Sequence, residues 1–201
     1  VYTEAKKRNI ELVDLTCPNV LKIHDVVKEF SNKEYYILLI GKKEHPEIIG
    51  TYSFAGQNCT IISNEDEVEI AVKKLEESKL NNLLIISQTT YNLQVFNEIS
   101  EKVKEELKNK DIHIEIKNTI CYATELRQKE TEKISKGVEA MIIVGGKNSS
   151  NTTKLYDISK KNCHNVIFVQ NADELDFEQI KDLKKVGIMA GASTPQKSVE
   201  E

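Results

Sequence analysis

The sequence predicts an α/β fold made of two similar lobes, each a small parallel sheet flanked by helices and facing a shared cleft. Three observations predict it. Short apolar runs rich in β-branched residues alternate along the whole chain with amphipathic segments of helical period. The polar loops that close the apolar runs recur at one offset, as two copies of a unit would make them. Of the 201 residues, 39% are hydrophobic and 30% charged, enough for a core beneath a solvated surface.

The elements follow in order. "VYTEAKKRN" reads as the end of a helix already under way. Strands are expected at "IELVD" (10–14), "YYILLI" (35–40), "TIIS" (60–63), "LLIIS" (83–87), "IHIEIK" (112–117), "AMIIV" (140–144), "VIFV" (166–169) and "VGIMA" (186–190). Between them, "SNEDEVEIAVKKLEES" offers Ser63 or Asn64 as a cap and acids for the first turn. The Lys/Glu runs of "NLQVFNEISEKVKEELKN" make a solvated helix face. Near the end, Thr194 is expected as an N-cap with Pro195 at the first helical position. A helix under way at one end and another barely started at the other suggest a piece of a longer protein.

Bulk charge excludes some partners. With 28 basic and 32 acidic residues the net charge is −4, and no Lys/Arg block forms a nucleic-acid footprint. No apolar run approaches twenty residues and no signal peptide opens the chain, which argues against the membrane and for a cytoplasmic protein. The four cysteines lie far apart, so a disulfide framework is not expected. Cys59 and Cys163 adjoin strands and are expected to be buried; Cys17 and Cys121 stand in loops.

The repeat is read from the loops. Cys17 and Cys121 are 104 residues apart (121 − 17), as are Gly41 and Gly145, and again Thr89 and Ser193. Four residues beyond each glycine stand His45 and Ser149; six beyond stand Glu47 and Asn151. A compensating slip of about three residues falls near "SNEDEV" and "QNADEL". All these loops follow strands, and open parallel sheets bind ligands outside their strand C-termini. The stretch "VGGKNSSNTTKL" (144–155) carries two glycines, small polar residues and no acid. By itself it suits a plain Ser/Asn cap. Beside the other loops it suits an anion held by backbone, hydroxyl and amide donors.

Two thiols at a cleft are compatible with an iron–sulfur cluster, zinc or a redox pair. His45 is the one histidine placed to help a zinc ion. Glu47 would donate a proton if partly buried, and Thr89 and Ser193 would orient a substrate or cap helices. A non-catalytic flavodoxin-like small-molecule or phosphate-binding module accounts for the sheets and the anion loop, though not for in-phase cysteines. Neither the Rossmann glycine pattern nor the Walker A pattern is present.

Six segments, "DLTCPNVLKIH", "GKKEHPEIIGT", "SQTTYN", "TICYATELRQ", "GGKNSSNTTKL" and "AGASTP", resemble in order and spacing the signatures of the 4-hydroxy-3-methylbut-2-enyl diphosphate reductases. These enzymes close the non-mevalonate isoprenoid route. The resemblance covers about Thr3 to Pro195. It implies three pseudo-equivalent lobes around a [4Fe–4S] cluster held by three cysteines, with Cys17 and Cys121 as two of them. It further implies reductive removal of the substrate's allylic hydroxyl to give isopentenyl and dimethylallyl diphosphates. Electrons would come from a donor protein such as ferredoxin or flavodoxin. Glu47 would deliver the proton, His45 would bind the diphosphate and serve the proton path, and Thr89 would orient Glu47 and the hydroxyl. Ser149, Ser150, Asn151 and Ser193 would hold the diphosphate. On this pattern residues 1–17 are a remnant of a first lobe, 18–117 the middle lobe and 118–201 the last. The cysteine-bearing first lobe is missing, so this chain alone is expected to hold no stable cluster and to be inactive, with Cys17 and Cys121 as empty thiols or a disulfide. "IELVD" would then be an orphan strand of the absent lobe.

Overall fold

The computed structural model describes residues 2–200; Val1 and Glu201, the outer limits of the first and last expected segments, lie outside the described residues. Its elements are α1 (Tyr2–Lys7), α2 (Pro18–Asn32), β1 (Tyr36–Ile40), α3 (Pro46–Ala55), β2 (Cys59–Ile62), α4 (Val68–Ser78), β3 (Asn82–Ser87), α5 (Leu93–Leu107) and β4 (His113–Ile116). These are followed by α6 (Tyr122–Ser135), β5 (Ala140–Val144), α7 (Ser150–Asn162), β6 (Asn165–Val169), β7 (Val186–Ala190) and α8 (Lys197–Glu200).

All pairings are parallel. One sheet has the order β2-β1-β3-β4 and the other β6-β5-β7. The shared 2-1-3 order makes β5, β6 and β7 the counterparts of β1, β2 and β3. Register carries the slip seen in the sequence. Ile37 pairs with Cys59 and Met141 with Val166, so β1 and β5 differ by 104 while their partners differ by 107 (166 − 59).

The first sheet is covered on both faces. Alternating side chains of β1 and β3 send Ile37, Leu39, Leu84 and Ile86 toward α2 and α3, and Leu38, Ile40 and Ile85 toward α4 and α5. β1 is therefore buried at every position. The second sheet is covered unevenly. One face packs Met141, Ile143 and Met189 against α6 and α7. In place of the counterpart of α4, the other face has two single 3-10 turns, Ala172–Glu174 and Phe177–Gln179, and Phe177 remains 64% exposed.

Two expectations need correction. "IELVD" forms no strand: residues 10–14 are irregular, with Val13 74% exposed. β-branched composition cannot hold a strand that has no neighbour to share a ladder. Thr194 caps no helix, since its hydroxyl donates to the Val144 carbonyl at 3.0 Å and α8 begins at Lys197. Cys17 and Cys121 stand in loops as expected, each at the non-helical N-cap position of the helix that follows, α2 and α6. Cys59 and Cys163 are buried as expected.

Candidate functional site

Each polar loop of the repeat ends at the N-terminus of a helix that follows a strand or linker, so the candidate side chains gather where backbone N–H groups are unpaired. His45 caps α3: its Nδ1 accepts from the Glu47 N–H at 3.2 Å. An imidazole accepting at Nδ1 carries its proton on Nε2, which leaves that nitrogen a donor. Glu47, half-buried, is gripped by one residue. The Thr89 backbone N–H donates to Oε1 at 2.6 Å and the Thr89 hydroxyl to Oε2 at 2.7 Å. Thr89 is itself buried, so the carboxylate is held in one orientation by two short bonds.

Ser149 caps α7, its Oγ accepting from the Thr152 N–H at 3.3 Å. The cap reading is thus met in this loop. Asn151 is not explained by it. It is 4% exposed, and neither its Nδ2 nor its Oδ1 has a hydrogen-bond partner. A buried amide with both ends unsatisfied is uncommon and marks a place where a ligand or water completes the shell. Behind it, Thr152 is wedged between Gly145 and Gly191. A Cβ on Gly191 would lie 2.1 Å from its Oγ1, and one on Gly145 2.9 Å. This close approach brings the loop bearing Ser193, which is exposed, beside the 145–151 loop. Lys154, half-buried above the Tyr91 ring at 5.6 Å, adds positive charge, and burial holds its pKa below the ordinary value.

The two halves meet through a few polar bonds. The Cys121 N–H donates to the Thr89 carbonyl at 2.9 Å. Buried Gln88 accepts from the Lys42 N–H at 3.2 Å through Oε1 and donates through Nε2 to Thr90 at 2.7 Å and Ser150 at 3.4 Å. Asn19 Nδ2 donates to Cys121 Sγ at 3.2 Å. His45, Glu47, Thr89, Ser150 and Cys121 therefore belong to one connected network, and Asn19 brings the Cys17 end of α2 to it. Sequence reasoning missed Gln88, Asn19 and Thr152. Gln88 stands inside the "SQTT" signature, but its long-range partners are 46 and 62 residues away.

The thiols divide by environment. Burial pushes Cys59 up to about 12, so it stays a thiol at neutral pH. Cys17 and Cys121 are free, and neither side chain is used as a helix cap. Among the described residues no group of three His, Cys, Asp or Glu is gathered to hold a metal. The donor set fits the cluster that the resemblance implies as two of its ligands, and these residues alone do not complete it.

Fold and site together define a class: an α/β protein of paired parallel sheets with two free thiols at helix N-caps, a clamped carboxylate and a buried, unpartnered amide at the start of α7. The comparisons narrow it. The model of the LytB protein family matches residues 1–201. A protein of Clostridioides difficile (strain 630) named 4-hydroxy-3-methylbut-2-enyl diphosphate reductase is 37% identical over 204 residues, covering 100% of this chain and 69% of that protein. One of the same name from Alkaliphilus oremlandii (strain OhILAs) is 38% identical over 202 residues, with the same coverage. Among solved structures, the E-1-hydroxy-2-methyl-but-2-enyl-4-diphosphate reductase of Plasmodium falciparum matches with a TM-score of 0.86 and 32% identity, over 99% of this chain and 61% of that one. A second, described as the terminal enzyme of the non-mevalonate pathway, matches with a TM-score of 0.62 and 35% identity, over 99% and 68%. The chain belongs to the LytB family, and it spans about two thirds of the length of these relatives.

Proposed function

We propose that this chain is part of a reductase that removes the allylic hydroxyl of 4-hydroxy-3-methylbut-2-enyl diphosphate. The substrate gains two electrons and two protons, loses water, and becomes isopentenyl or dimethylallyl diphosphate. The observation that carries the reading is Asn151, a buried unsatisfied amide in an acid-free loop that lies one hydrogen bond from the Gln88–Thr89 loop clamping Glu47.

In this reading Asn151, Ser149, Ser150 and Ser193 bind the diphosphate, and His45 donates to it from Nε2–H. Glu47 holds the proton destined for the carbon skeleton or the leaving hydroxyl. Thr89 fixes the rotamer of Glu47 so that the proton is aimed. Cys17 and Cys121 would supply two thiolate ligands to a [4Fe–4S] cluster. When bound, that cluster supplies the electrons and a Lewis-acidic iron. The remaining ligand comes from outside these residues, in keeping with a protein of three lobes of which 18–117 and 118–201 are two. An electron-donor protein such as ferredoxin or flavodoxin would serve it in the cytoplasm. Among the described residues no helix is long and apolar enough to cross a membrane.

The test is iron and sulfide content after anaerobic reconstitution of this chain and of the full-length gene product, with turnover of the allylic diphosphate. The full-length product is expected to bind about four irons and turn over, and the 201-residue chain to bind few. Glu47→Gln in the full-length protein should keep its iron and lose turnover by roughly 100-fold or more. A full-length product that stays iron-free yet binds pyrophosphate would replace this reading with that of a phosphate-binding module.

A further inference from the structure

The Asn19–Cys121 contact has a chemistry of its own. Asn19 is the second residue of α2, two beyond Cys17, and its partner lies 102 residues away at the cap of α6. Its amide Nδ2 is a donor, and at 3.2 Å from sulfur it makes a close N–H···S hydrogen bond. The contact is half-buried, at the side of a cleft of about 220 Å³ lined by Asn19, Lys22, Ile120, Cys121 and Tyr122. One side chain thus ties the helix that starts at one free thiol to the sulfur of the other.

We propose that Asn19 is a positioning residue for Cys121. It holds the sulfur in place for the cluster and, by donating to it, raises the reduction potential of that cluster. The inference rests on the iron–sulfur reading above. Reduction adds negative charge to a cluster and its thiolates, and a hydrogen bond to a ligand sulfur stabilises that charge. Removing the donor disfavours the reduced state. An acceptor in its place repels the sulfur and disfavours it further. Nothing in the geometry places Asn19 on the diphosphate loops, so substrate affinity should not follow the change.

Two measurements test it. In the 201-residue chain, with no iron, nuclear magnetic resonance of the Asn19 side-chain amide should show one hydrogen that shifts when Cys121 becomes Ala and stays when Cys17 does. In the full-length gene product, reconstituted anaerobically, Asn19→Leu preserves side-chain size without the donor, and Asn19→Asp replaces the donor with an acceptor. The midpoint potential should fall in the order wild type, Asn19→Leu, Asn19→Asp, with the electron paramagnetic resonance signal of the reduced cluster altered and pyrophosphate affinity unchanged. Loss of iron from Asn19→Leu alone, with wild-type circular dichroism, also supports the proposal. An amide resonance indifferent to Cys121, or equal potentials with full iron content, overturns it. Wild-type protein that takes up no iron, with the amide coupled to Cys121, would locate the failure in the cluster reading instead.

Discussion

In the proposed reading, Asn151 trades stability for binding. Its amide is buried without a partner, a cost of about 1–3 kcal/mol that a completed anion site would recover. Asn151→Leu should therefore melt at the same or a higher temperature than wild type, while pyrophosphate binding measured by calorimetry weakens at least ~10-fold, about 1.4 kcal/mol. A variant that melts lower and binds normally would make Asn151 a structural residue. Gly191 is the opposite case. Its Cβ would meet Thr152 Oγ1 at 2.1 Å, so Gly191→Ala should destabilise by about 1–3 kcal/mol through overpacking. Adding Thr152→Ala should recover most of that loss in a urea titration, because it removes the atom that clashes.

At the scale of elements, α2 lies on α3 through His24, whose ring sits 4.6 Å from that of Phe54 and whose Nε2 is buried without a partner. Burial, helped by Lys28 and opposed by Asp25 and Asp14, holds its pKa below the ordinary 6.5. The folded state then binds fewer protons than the unfolded one. The stability His24 contributes is complete above 6.5 and is lost as the pH falls through its lower folded value. The melting temperature should drop between pH 7 and pH 5, and His24→Phe should flatten that part of the profile; an identical slope in both proteins would assign the drop to other groups. Gln128 on α6 is the other joint. It donates to the Tyr91 carbonyl at 2.8 Å and accepts from the Leu93 N–H at 3.0 Å. These bonds tether α6 to the start of α5, which belongs to the first sheet's half.

For the whole molecule, the consequence is two packed sheets, the second partly open on one face, tied together by the polar bonds described above. Gln88, Asn19, Gln128 and the Cys121 N–H carry the junction, while each sheet keeps its own apolar clusters. A ligand that touches loops of both halves should stiffen them together. Pyrophosphate is expected to slow amide hydrogen exchange in 41–47, 88–92, 145–151 and 191–194 at the same concentration. Slowing confined to 145–151 would show that the anion is held by one half alone.

Much of this was legible in the chain itself. β1, β3 and β5 are continuous apolar runs because a parallel strand covered on both faces has no polar position to show. The offset of 104 residues revealed the two-fold repeat because equivalent strands end in equivalent loops. "IELVD" misled because β propensity is local while a ladder needs a neighbour. Thr194 misled because a strand-end carbonyl competed for its hydroxyl. What the sequence determined by itself was the periodicity, the repeat and the identity of the polar residues at strand ends, since these depend on spacing along the chain. Only the tertiary structure decided that Thr89 clamps Glu47, that Asn151 is orphaned and that Asn19 reaches the Cys121 sulfur. Those contacts join residues 42 to 102 apart or depend on burial by the packed lobes, and no local pattern encodes them.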